Sequence, residues 1–197
     1  MTLIGRNENK LRTVASSLAT TAYSIFPMDI SSYEEVTKGF KKIETIDILI
    51  NNAGVGYFDL TEKLTEEQIH AMIDVNLKGT IFCTQQVLPK MKEFGSGTII
   101  NIVSTAGLEG KVNESVYSAS KFGVRGFTET LYKELSTTDI RVNGIYMGGM
   151  STPFWDGVYD EERKSSLMQA DDIAEIIYGS TQERRNINVS EIVIRMH

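Results

Sequence analysis

Short apolar runs alternate along this chain with longer segments whose apolar residues recur every three or four positions. The first pattern marks strands and the second marks helices packed on one face. Strands are expected at Thr2–Gly5, Ala22–Phe26 (ended by Pro27), Ile46–Ile50, Thr98–Val103, Ile140–Tyr146 and Val189–Ile194. A helix follows Arg6-Asn7-Glu8-Asn9, with Leu11, Val14, Ala15 and Leu18 at helical spacing. A second runs from Ser31, as cap, to about Ile43, with Glu34 as its capping-box partner. Thr65 opens a long helical region that reaches about Met91 and is interrupted near Lys78-Gly79. Ser115–Ser136 and Asp171–Tyr178 complete the set, and residues 153–168 are the least regular stretch.

Strands alternating with helices give a parallel sheet covered on both faces, a doubly wound α/β fold. The continuous apolar runs at Ile46–Ile50 and Thr98–Val103 suit strands buried on both sides. Such sheets bind ligands beyond the carboxyl ends of their strands. Three loops fall there, Asn51–Gly56, Ser104–Asn113 and Met147–Asp156, so distant segments converge on one crevice.

With 197 residues, the chain is expected to form a single domain over 1–197. Its net charge of −6 argues against nucleic acid as a partner. No apolar run is long enough to cross a membrane and no signal sequence opens the chain, so no membrane partner is expected. The one cysteine, Cys83, excludes an internal disulfide and fits a reducing, cytoplasmic setting. Two histidines and one cysteine are too few for a protein-built zinc site, so no metal is expected.

Candidate chemistry centres on Tyr117-Ser-Ala-Ser-Lys121. Residues four apart share a helix face, which points the phenol and the ammonium the same way. A nearby positive charge favours phenolate, so Lys121 is expected to lower the Tyr117 pKa and suit it to general acid–base work. By itself this spacing also occurs on ordinary surface helices. Ser104 lies 13 residues earlier at the end of a strand, Asn76 sits near the helix interruption, and Asn51-Asn52-Ala53-Gly54 ends another strand.

With these motifs and the Gly148-Gly149-Met150-Ser151-Thr152 loop, the chain resembles the single-domain short-chain dehydrogenase/reductase family. The resemblance runs from Leu3 to the C-terminus. It implies an oxidoreductase that moves a hydride between NADP(H) and a carbonyl or alcohol substrate. Tyr117 would pass the proton, Lys121 would hold the nicotinamide ribose, Ser104 would bind the reacting oxygen, and Asn76 would hold a water in a proton relay. In the cofactor site, Asp29 and Ile30 match positions beside the adenine. Asn51, Ala53 and Gly54 match the segment along the adenosine ribose and nicotinamide. Met150 and Thr152 match contacts to the carboxamide and phosphates. NADP(H) is favoured over NAD(H), because glycine replaces the acidic residue expected after the first strand and Arg6 follows. Phe154, Trp155, Tyr57, Phe58 and Leu108 are expected to wall a substrate pocket. Homo-oligomers, dimers or tetramers, are implied through the two long helices, with Phe122, Val124 and Phe127 facing a partner.

The sequence departs from the family at Met147, where proline is usual, and at its start. The family opens with a strand, a Gly-rich turn and a helix before the strand seen here at Thr2–Gly5, so the first βα unit is expected to be missing. Two explanations stay open: a shortened version of a longer enzyme, or a sheet that closes differently and binds nucleotide poorly. The second leaves a non-catalytic nucleotide sensor or interaction subunit as the alternative function.

Overall fold

The computed structural model describes residues 1–18, 22–182 and 187–197. Six strands occur among them: β1 (Thr2–Gly5), β2 (Ser24–Pro27), β3 (Ile48–Asn51), β4 (Ser96–Ile102), β5 (Asp139–Met147) and β6 (Glu191–Ile194). The helices are α1 (Glu8–Ser16), α2 (Tyr33–Phe40), α3 (Glu66–Ala71), α4 (Thr80–Phe94), α5 (Ser115–Glu134), α6 (Glu161–Ser165) and α7 (Ala170–Thr181). Every strand pairing is parallel. The hydrogen-bonded strands form two sheets, β1-β2 and β3-β4-β5-β6.

One apolar core spans both sheets. Ile4 and Phe26 from the smaller sheet pack with Leu49 of β3, Val36 and Phe40 of α2, and Val87 and Met91 of α4. The opposite face of β3 is open, leaving Ile48 44% and Ile50 52% exposed. A second cluster joins Ile100, Ile145 and Ile173 beneath α7. Buried Thr37 Oγ1, Ser118 Oγ and Asn143 Oδ1 have no hydrogen-bond partner among the described residues, whereas the asparagines at the strand ends are paired. Asn51 and Asn101 are register partners, and Asn51 Nδ2 donates to Asn101 Oδ1 at 2.8 Å and to Thr84 Oγ1 at 3.1 Å. Asn101 Nδ2 donates in turn to Thr128 Oγ1 at 2.9 Å. This ladder ties β3, β4, α4 and α5 together just below the strand ends that face the crevice.

Two local expectations change. The cap of α2 is Ser32, not Ser31, because the Asp29 carboxylate already accepts from both Ser31 N and Ser31 Oγ. The interruption near Lys78-Gly79 is not a break. Residues Met72–Gly79 form a π-helical stretch that joins α3 to α4 in one continuous element. π segments widen a helix locally and recur at functional sites. Gly79 sits where a Cβ would stand 2.7 Å from Ile30 Cδ1, so any larger residue there would displace the Ile30 side chain.

The expected outward-facing trio on α5 is also corrected. Val124 is buried against Val103 and Tyr146, and Phe127 packs on the main core, while Phe122 is exposed. No helix among the described residues is long and apolar enough to cross a membrane.

Candidate active site

The carboxyl ends of β3, β4 and β5 open into one cavity of about 750 Å³. Its walls include Gly54 after β3, Ser104 after β4, Tyr117 and Lys121 on α5, and Met150 and Thr152 after β5. Tyr117 and Lys121 lie on the first turns of a 20-residue helix and share its inward face. Both are buried. The Tyr117 phenol and the Ser104 hydroxyl line the same wall, and the Ser104 side chain favours the ionised form of the phenol. Lys121 Nζ donates to Ile102 O at 2.9 Å and stands 5.9 Å from the Tyr117 ring centroid. Ser104 has φ 154° and ψ 157°, a backbone region rarely used outside glycine, and its Oγ accepts from Ala106 N at 3.1 Å.

Asn76 is fixed by the π segment and buried. Its Nδ2 donates to Val55 O at 2.9 Å and Ser120 Oγ at 3.0 Å, and its Oδ1 accepts from Val55 N at 2.8 Å. Ser120 Oγ donates to Tyr117 O at 2.7 Å. The side chain therefore bolts the loop after β3 to the helix that carries Tyr117. Asn76→Ala leaves the Val55 backbone groups without these partners and is expected to cost on the order of 2 kcal/mol in a denaturant titration. An unchanged unfolding midpoint would show that the Asn76 bridge adds nothing.

Burial sets the ionisation of both α5 groups. The Tyr117 phenol is pushed up to about 12, chiefly by desolvation, with the Ser104 side chain acting the other way and Glu114 adding to the rise. This corrects the expected lowering by Lys121. The ammonium lies over the ring at 5.9 Å from its centroid, bonded to Ile102 O, and is itself pulled down to about 8 by desolvation.

The cofactor candidates fall into two groups. Ala53, Gly54, Met150 and Thr152 line the cavity with Tyr117 and Lys121. Arg6 follows β1, and Asp29 and Ile30 follow β2, so these three share the carboxyl end of the smaller sheet and lie outside that lining. Asn51 also stays out of the lining, because its amide is spent on Asn101 and Thr84; Asn52 takes its place on the wall. Among the apolar candidates, Phe154 and Trp155 line the cavity, and Phe58 packs edge-on to Tyr117 at 5.4 Å. Leu108 instead joins Val103 and Tyr146 in the core, and Tyr57 is exposed. Glu109, Lys111, Glu114, Tyr159, Arg163 and Arg195 also line the cavity and were not singled out from sequence. Only tertiary folding gathers them, although Glu114 stands one helical turn before Tyr117.

The wall fits the nicotinamide-ribose end of a dinucleotide. Lys121 has three donors and one protein acceptor, leaving charged N–H groups for a sugar hydroxyl. A Cβ on Gly54 would stand 3.3 Å from Asn76 Oδ1 and 3.7 Å from Lys121 Nζ, so glycine keeps that approach clear.

A parallel α/β fold that gathers a serine, a buried tyrosine and a buried lysine at its strand ends defines a nucleotide-dependent oxidoreductase class. The family model described as short chain dehydrogenase matches residues 1–163. An uncharacterized oxidoreductase of Staphylococcus aureus (strain N315) is 36% identical over 200 residues, covering 98% of this chain and 84% of the relative. The chain belongs to the short-chain dehydrogenase/reductase family and is an NAD(P)-dependent oxidoreductase of that type. Among solved structures, an alcohol dehydrogenase from the archaeon Thermococcus sibiricus, complexed with 5-hydroxy-NADP, aligns with TM-score 0.88 at 25% identity over 98% of this chain and 83% of its own. A closed form of serine dehydrogenase complexed with NADP+ aligns with TM-score 0.87 at 28% identity over 99% of this chain and 83% of its own.

Proposed function

We propose that this chain is an NADP(H)-dependent carbonyl reductase or alcohol dehydrogenase in which Tyr117 is the proton donor and acceptor. The observation that carries the reading is that Ser104, Tyr117 and Lys121 line one cavity, with Lys121 one turn along the same helix face as Tyr117. When bound, the dinucleotide supplies or accepts the hydride. In reduction, Ser104 and Tyr117 hold the substrate oxygen between them, and the Tyr117 proton moves to that oxygen as charge develops on it. In oxidation, the phenolate takes the proton back. Lys121 orients the ribose through its free N–H groups. Asn76 acts by position, keeping residues 54–56 against α5.

Opposite pH dependences test these roles. With its pKa near 12, Tyr117 stays protonated across the working range, while Lys121 loses its charge above about pH 8. Steady-state rates of carbonyl reduction should hold level below about pH 8 and decline above it. Alcohol oxidation, which needs phenolate, should climb with pH. Parallel profiles for the two directions would refute the proton-transfer assignment.

We assign the preference for NADP(H) to Arg6, exposed after β1 where no acidic side chain competes for a 2′-phosphate. NADP-bound structural neighbours support the choice. Arg6→Ala should weaken NADPH at least tenfold more than NADH in fluorescence titrations. Equal losses for both cofactors would remove Arg6 from that role. We further read the exposed Phe122 and Tyr132 on α5 as contacts of a homo-oligomer, which sedimentation equilibrium would reveal as a dimer or larger assembly.

A further inference from the structure

We propose that the cavity is built for a carbonyl or alcohol substrate bearing a protonated amine, with the Glu114 carboxylate as its counter-ion and the cavity's aromatic wall holding its apolar part. This deepens the reductase reading and rests on it. Apart from Lys121, five charged side chains line the cavity: Glu109, Lys111, Glu114, Arg163 and Arg195. Four of them have partners within the protein. Lys111 Nζ donates to Thr105 Oγ1 at 3.2 Å. Arg195 and Glu109 form an ion pair at 3.7 Å. The Arg163 guanidinium lies 5.6 Å from the Tyr159 ring centroid. Glu114 differs: among the described residues its carboxylate has no hydrogen bond and no ion pair, and it makes no capping bond to α5.

An unpartnered carboxylate in a half-buried position carries an uncompensated desolvation cost. Burial pushes the Glu114 pKa up, and the charge of nearby Lys111 offsets this only in part. The same carboxylate disfavours the Tyr117 phenolate. An ammonium beside Glu114 relieves both effects at once. A neutral substrate leaves the carboxylate without such a partner.

The same cavity also has an aromatic wall. Trp155 stacks on Tyr159 with ring centroids 4.5 Å apart and on Phe58 at 5.2 Å, and Phe154 meets Trp155 edge-on at 5.1 Å. With Trp155 stacked by Tyr159 and Phe58 and Arg163 over Tyr159, this wall offers apolar contact to the rest of the substrate rather than a second site for the ammonium. Reduction of an amino ketone balances simply: hydride from reduced nicotinamide joins the carbonyl carbon, the Tyr117 proton joins the oxygen, and an amino alcohol and the oxidised cofactor result. The ammonium is unchanged.

Trp155 is the only tryptophan in the chain, so its fluorescence reports on the cavity without turnover. The probes are 2-phenylethylamine and the uncharged 2-phenylethanol, titrated near pH 6.5. The amine is expected to bind at least tenfold tighter, Glu114→Gln to abolish that difference, and Glu114→Asp to restore part of it. Melting curves for each variant confirm that it is folded. Equal affinity of the wild-type protein for both probes, or a preference that survives Glu114→Gln, overturns the proposal whether or not the protein reduces any ketone. Turnover gives a second readout against NADPH with 2-aminoacetophenone, propiophenone and benzoylacetate. The aminoketone-to-propiophenone ratio of kcat/KM should exceed ten and collapse through KM in Glu114→Gln. Preference for benzoylacetate would contradict the proposal. Binding selectivity without reduction of any ketone would instead count against the reductase reading alone.

Discussion

Tyr117→Phe is expected to lower kcat for carbonyl reduction about a hundred- to ten-thousandfold, the range contributed by a positioned proton donor. The substitution removes one oxygen. The ring contacts to Phe58 at 5.4 Å and Phe154 at 6.0 Å do not depend on the hydroxyl, so the fold should persist. NADPH affinity should change only a few-fold, because the lysine and the loops after β3 and β5 remain. The informative measurement is therefore kcat beside a melting curve and a cofactor titration on the same preparation. Near-wild-type turnover by a folded, NADPH-binding variant would assign the proton to another group.

Lys121→Met should separate function from stability. The wild-type ammonium is buried with Ile102 O as its protein acceptor, and desolvation lowers it from 10.5 to about 8. Two further donors are then available to the cofactor ribose. Their loss is expected to weaken NADPH about ten- to a hundredfold, the scale of one or two charge-assisted hydrogen bonds. Stability should move the other way. Below about pH 8 the native state bears the full cost of a buried charge. Between about 8 and 10.5 the unfolded chain holds a proton that the native chain has released, so wild-type stability rises with pH across that window. Methionine removes the charge altogether. The variant should melt at or above the wild-type temperature at neutral pH, and the gap should narrow toward pH 10.5. A large loss of stability at neutral pH would mean that Lys121 serves the fold.

The parallel α/β class was legible because β4 and β5 announce themselves as apolar runs and α5 as a long periodic segment. The pairing of Tyr117 with Lys121 was legible because helix geometry fixes residues four apart on one face. What sequence did not convey depended on competition for the same atoms. Ser31 and Ser32 both read as caps, and the Asp29 carboxylate decides between them by taking Ser31. Asn51 and Asn52 look alike in the strand-end motif, yet Asn101, fifty residues away, takes the first and leaves the second on the cavity wall. The Tyr117 pKa was read from its positive neighbour, whereas burial outweighs that charge in the folded chain. Glu114 carried no motif. Its interest comes from the partners that neighbouring charges have and it lacks.

The most direct measurement is a fluorescence titration of the 197-residue protein with NADPH, followed by loss of NADPH absorbance with a panel of ketones and aldehydes. Saturable binding and substrate-dependent oxidation, both diminished by Lys121→Met and the second abolished by Tyr117→Phe, are the results expected of a reductase. A folded chain that neither binds NADPH nor oxidises it with any carbonyl would contradict that function and favour a non-catalytic role for the same fold.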